Sequence, residues 1–108
     1  MASNVTNMQS PPWTVADKND RPAGVAIILL KRVFALPWGQ FLYAQGDDAM
    51  VQAFFTTHDI VVKGAGLRPL VSEFAGQRLT ALYEPHRTEV FGRTGACITD
   101  LDIVKVQE

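Results

Sequence analysis

The sequence predicts an α+β domain: about five mostly antiparallel strands with one amphipathic helix, over about residues 67–83, packed on one face. Three observations lead there. Runs of β-branched and aromatic residues alternate with turn residues from Val25 to Lys63, the apolar period lengthens from two to about 3.6 after Gly66, and β-branched residues return from Cys97 to Val106. Strands in succession, then a helix, then a closing strand are the order of an antiparallel sheet shielded on one side.

Met1 to Asp20 is rich in Asn, Ser, Thr and Asp, contains Pro11-Pro12 and has no apolar period. This predicts a flexible or loosely docked arm over residues 1–20 and a single domain over 21–108. Trp13 is the aromatic residue of that arm, and its ring is expected to dock in a groove rather than stay in water. Val25 to Ala35 reads as one strand, apolar on both faces in its first half. Pro37 and Gly39 break the run around Trp38, and Phe41 to Ala44 resumes it as far as Gly46-Asp47-Asp48, a turn. Met50 to Thr57 and Ile60 to Lys63 read as a hairpin joined at Thr57-His58-Asp59. Beyond Gly64-Ala65-Gly66, the residues Leu67, Leu70, Val71, Phe74, Ala75, Arg78, Leu79 and Leu82 recur at helical spacing, with Pro69 suited to a first turn and Pro85 marking the stop. Gly76 inside such a helix costs about 1 kcal/mol relative to alanine.

A chain of 108 residues suits one domain and leaves no room for a second core. With 47% hydrophobic and 19% charged residues it is far from the composition of a disordered protein. Ten basic against eleven acidic side chains, with only Lys31 and Arg32 adjacent among the cations, leave no positive excess to neutralise phosphates, so nucleic acid is not an expected partner. No membrane association is expected either, since the apolar run from Ala23 to Leu30 is far below the ~20 residues a spanning helix needs. The lone Cys97 rules out an intramolecular disulfide, and Met1 to Gln9 has neither the cationic start nor the apolar stretch of a secretory signal. A cytoplasmic location is the expectation.

The segments Leu36 to Ala44, Thr57 to Leu67, Gln77-Arg78 and Glu84-Pro85-His86-Arg87 carry a pattern of Leu-Pro-Trp, Phe-Leu-Tyr-Ala, Thr-His-Asp and Glu-Pro motifs. In these the chain resembles a group of small uncharacterised bacterial proteins, orphans of the kind carried in mobile gene cassettes. The resemblance covers roughly Arg32 to Arg87. It implies a bacterial domain and brings no activity and no catalytic residue with it.

Chemistry-bearing residues are sparse. Gly64-Ala65-Gly66-Leu67-Arg68-Pro69 occupies the place of a phosphate-binding loop, but Pro69 stands where the third glycine would be and no Lys-Ser or Lys-Thr follows. Turn geometry explains those glycines. His58-Asp59 suits a solvated hairpin turn, and His86 with Arg87 suits the end of the helix, where cations meet the last carbonyls. Asp100 and Asp102 share a face of the last strand, as edge-protecting charges do. Ser72 and Cys97 have no activating neighbours in the sequence. No catalytic residue, metal site or cofactor is assigned.

The remaining candidates are ligand or interface residues: Trp38, Tyr43 and Tyr83 with Arg78, His86 and Arg87, lining a surface between the helix end and the first hairpin. Core packing, a protein interface and a pocket are all open to such a set. Arg78 falls on the apolar stripe of the helix, where a guanidinium needs a carboxylate or carbonyl partner, with Glu84, Asp100 and Asp102 the acidic candidates. One helix covers only part of a sheet, and the first strand is apolar on both faces, so surface remains for a second copy. The expected function is a non-enzymatic, homodimeric binding or interaction module. The alternative is a small-ligand-binding protein or minor enzyme using the aromatic and cationic residues, with His86 as acid or base.

Overall fold

The computed structural model describes residues 12–85 and 96–106. In chain order the elements are β1 (Trp13–Val15), β2 (Gly24–Ile28), β3 (Val33–Pro37), a 3-10 turn (Trp38–Gln40), β4 (Phe41–Gly46), β5 (Met50–Phe55), β6 (His58–Ala65), α1 (Arg68–Ala75), β7 (Leu79–Tyr83) and β8 (Cys97–Lys105). The α+β class holds, but among the described residues eight strands in two four-stranded sheets replace the expected five or so. The first sheet has the order β1-β7-β2-β3 and the second β4-β5-β6-β8. Neighbours are antiparallel except β2 and β7, which run parallel with Ile27 beside Leu82. After β3 the chain leaves the first sheet, builds β4 to β6 and the helix, and returns as β7 between β1 and β2.

The single strand expected from Val25 to Ala35 is instead the hairpin of β2 and β3, in register from Gly24 with Pro37 to Ile28 with Val33. Its turn spans Leu29 to Arg32, closed by the Leu29 N–H donating to the Arg32 carbonyl at 2.8 Å. Neither glycine nor proline marks that turn, whose residues are Leu29-Leu30-Lys31-Arg32, so no turn signal separates the two strands in the sequence. The next hairpin, β5 to β6, forms as expected, but the reversal lies at Thr56-Thr57. His58 and Asp59, expected in the turn, are the first residues of β6.

The helix expected over 67–83 ends at Ala75. Gly76 and Gln77 close it with a Schellman motif: Gln77 takes a left-handed φ of 57°, its N–H donates to the Phe74 carbonyl at 3.0 Å, and the Arg78 N–H reaches the Glu73 carbonyl at 3.3 Å. The left-handed position usually belongs to glycine, and here Gly76 precedes it by one residue. The apolar residues beyond the break form β7. It is an inner strand of the first sheet in which Leu79, Ala81 and Leu82 are all buried, so no strict alternation betrays it.

Trp13–Val15 pairs with β7 as an edge strand, with Trp13 opposite Leu82 and its ring packed against the core. The Thr14 and Thr80 hydroxyls meet at 2.6 Å.

Both sheets and the helix share one core. Val25, Ile27 and Leu36 come from the first sheet, Val51, Phe55, Ile60 and Val62 from the second, and Leu70 and Phe74 from α1, which lies against β4 and β5. The β4–β5 turn also holds the start of the helix. Asp47 Oδ1 accepts the Ala49 and Met50 N–H groups at 2.8 and 3.0 Å, and these bonds hold its carboxyl below the usual aspartate pKa. Asp48 accepts the Arg68 N–H through its side chain at 3.2 Å and the Leu67 N–H through its carbonyl at 3.0 Å. Those bonds satisfy donors that a helix start leaves open, and the Arg68 guanidinium approaches the same carboxylate at 3.8 Å. Gly66, at φ 64°, makes the turn from β6, and a Cβ on Gly64 would fall onto the Cys97 carbonyl oxygen where β6 and β8 shift register.

Candidate functional site

Trp38 belongs to the core. It is 5% exposed and sits among Phe41, Phe55 and Phe74 at ring-centroid distances of 5.3, 5.7 and 6.2 Å, with its indole N–H buried and unpartnered. Tyr43 lies on the opposite side of the second sheet, on the outer face, 53% exposed and with its ring 4.7 Å from that of Phe54. Tyr83 is at the far end of β7, in the first sheet and beside Ile28. His86 and Arg87 lie outside the described residues. Among the described residues no ring contact joins Trp38, Tyr43 and Tyr83.

Arg78 is not on a helical stripe, because the helix has ended three residues earlier. It immediately precedes β7, half-buried, and its guanidinium donates to the main-chain carbonyls of Ala16 and Lys18, the latter at 3.3 Å. The Ala16 N–H returns a bond to the Arg78 carbonyl at 2.8 Å. Carbonyls, not carboxylates, satisfy it. Of the acidic candidates, Glu84 accepts the Leu30 N–H at 2.9 Å, while Asp100 and Asp102 are exposed on β8. Arg78 therefore fastens the segment after β1 to the start of β7.

Catalytic geometry is sparse in the described residues. His58 Nδ1 lies 2.9 Å from the Thr57 hydroxyl, and its ring meets Phe34 edge-on at 5.5 Å. Asp59, next in the strand, points to the other face. Among the described residues, no three His, Cys, Asp or Glu side chains converge on a point that could hold a metal ion, and no helix is long and apolar enough to cross a membrane.

What the fold does present is two sheet faces. Alternation along β2 and β3 turns Val25, Ile27 and Leu36 to the core and leaves Ala26, Ile28, Val33, Ala35 and Pro37 outside, with Ala26 opposite Ala35 and Ile28 opposite Val33. No charged side chain interrupts that outer face along the two strands, Val33 is 62% exposed, and a shallow depression of about 340 Å³ runs over residues 23–26 and 35–37. The outer face of the second sheet is mixed: Tyr43, Phe54 and Val61 share it with Gln45, Gln52, Asp59, Lys63, Asp100 and Asp102. The both-faces-apolar character of Val25 to Leu30 was the sequence signal for the first of these surfaces. Ala35 and Pro37 carry no such signal on their own, and Phe54 and Asp59 are read as surface only once the strand register is known.

The class these features define is a two-sheet α+β domain with an apolar outer face on its first sheet. No protein-family model matches the chain, and neither does a curated protein or a solved structure.

Proposed function

We propose that this chain is a non-enzymatic, homo-oligomeric interaction module of bacterial, cytoplasmic origin, and that two copies associate through the outer face of β2 and β3. The observation that carries the reading is the uninterrupted apolar surface of Ala26, Ile28, Val33, Ala35 and Pro37 on a sheet whose other face already fills the core. Apolar patches of this kind on small folded domains mark association sites.

The free edge of β3 is a poorer place to meet. The Leu29-to-Arg32 and Trp38-to-Ala23 bonds fix the ladder so that the main-chain groups of Phe34 and Leu36 face β2, while those of Val33, Ala35 and Pro37 point outward. Pro37 has no N–H to offer there, and proline on an outward position protects an edge from strand addition. Face-to-face packing needs no such donor. The pocket reading has less support, because Trp38 and Tyr43 lie on opposite sides of the second sheet.

Sedimentation equilibrium over the micromolar range tests the proposal. The expected result is a dimer mass, converted to a monomer by Ala35→Arg, which sets a charge in the middle of the face while leaving the core untouched. A monomer mass throughout the range, or a dimer indifferent to Ala35→Arg and to Val33→Lys, overturns it.

A further inference from the structure

We propose that the outer face of the second sheet binds an extended, arginine-bearing segment of a partner protein, with the guanidinium groups held between the Tyr43–Phe54 rings and the carboxylates of Asp59 and Asp102. The register sets the face out in rows. Tyr43, Phe54, Asp59 and Val104 stand side by side across the four strands, and Gln45, Gln52, Val61 and Asp102 form the next row. Met50, Lys63 and Asp100 form the third. In that third row Lys63 stands directly opposite Asp100, where its charge offsets that of the carboxylate although the two form no direct ion pair. Asp59 is different, because it stands between Phe54 and Val104. Asp102 opposes Val61. Neither has a cation directly opposite it, and none stands in their two rows; Lys63 is the diagonal neighbour of Asp102 on the far side from Asp59. The Gln45 amide is already bonded to Gln52 at 3.0 Å, so the polar pair of the middle row is self-satisfied.

Asp59 beside the half-buried Phe54 and exposed Tyr43, with Asp102 one strand further along, favours a cation and repels phosphate, which separates this face from a nucleic-acid platform of similar shape. Two carboxylates alone are too few ligands for a dedicated calcium site. Arginine suits both halves of the face, since its guanidinium lies flat on an aromatic ring and pairs with a carboxylate in the same plane. Spacing selects an extended segment. Asp59 and Asp102 are diagonal neighbours on adjacent strands, about 7–8 Å apart. Alternate side chains of an extended peptide repeat every ~6.8 Å, so arginines at alternate positions match the two carboxylates.

The inference concerns a different face from the proposed dimer contact and does not rest on it. Calorimetric titration of the full-length chain with a capped Arg-Ser-Arg-Ser-Arg-Ser peptide, and with its lysine and glutamate counterparts, is the test. The arginine peptide is expected to saturate at one per chain, the lysine peptide to bind more weakly and the glutamate peptide not at all. Asp59→Asn with Asp102→Asn, and separately Tyr43→Ala, are expected to weaken binding about tenfold or more, against less than about twofold for Asp100→Asn. Thermal unfolding of each variant checks that the fold survives, and the asparagine pair carries the test if the tyrosine variant does not fold. Absence of saturable binding overturns the proposal. So does an equal loss for Asp59, Asp100 and Asp102, which would mean diffuse charge attraction, or a comparable loss in Ala35→Arg, which would place the peptide on the other sheet.

Discussion

Trp38 shows how a residue that looks like a ligand-binding aromatic can be core. Its ring fills the space between Phe41, Phe55 and Phe74, and its buried N–H has no acceptor. An orphaned buried donor costs about 1–3 kcal/mol, which offsets part of what the ring contributes by packing. Trp38→Phe keeps an aromatic ring and removes the orphan, so its stability is expected within about 1 kcal/mol of the parent, whereas Trp38→Ala should lose about 3–5 kcal/mol. Urea unfolding distinguishes the two, and a large loss for Trp38→Phe would show that the indole N–H is in fact satisfied. Arg78→Leu is expected to cost about 1–2 kcal/mol, the scale of charge-assisted bonds to half-exposed carbonyls, because no carboxylate is left stranded. A loss of 3 kcal/mol or more, the order expected for breaking a buried ion pair, would contradict that account.

At the scale of elements, the boundary between α1 and β7 is the most informative. Gln77 carries the left-handed conformation that a Schellman motif requires, and a side chain there costs about 1 kcal/mol relative to glycine. Gln77→Gly is therefore expected to raise stability by about 0.5–1 kcal/mol, measured as a higher urea midpoint with an unchanged slope. A loss of stability would mean that the glutamine side chain makes a compensating contact. The β4–β5 turn supplies a pH-dependent element. Asp47 has a folded pKa below its unfolded value because its carboxylate accepts two backbone bonds. Its stabilisation is thus present above the unfolded pKa and is lost as pH falls through the folded one. Asp47→Ala should therefore be less stable than the parent at neutral pH, with the gap narrowing on acidification below the ordinary aspartate range.

On the scale of the whole molecule, one core serves both sheets and their outer faces are left to solvent or to partners. If two copies meet on the first sheet, association is linked to folding and the midpoint of thermal unfolding rises with protein concentration. Differential scanning fluorimetry across a hundredfold dilution series is expected to show that rise for the parent chain and a flat response for Ala35→Arg. An equal response from both would separate stability from the β2–β3 face.

The sequence alone determined that strands dominate and where several of them lie. The Gly46-Asp47-Asp48 turn, the β5–β6 pair and the closing strand all rest on local turn chemistry and β-branched runs, and each lies close to where those signals put it. Tertiary structure decided what local signals could not carry. Leu79 and Leu82 match a helical stripe, and only their pairing between β1 and β2 makes them strand residues. Arg78 looked like a buried charge in need of a carboxylate or carbonyl partner, and only the tertiary structure places as its acceptors the carbonyls of a segment about sixty residues away. The division of the strands into two sheets, and with it the separation of Trp38 inside from Tyr43 outside, depends on pairings between distant segments. Periodicity reports how many faces of a residue's own element are covered; it does not report which element does the covering.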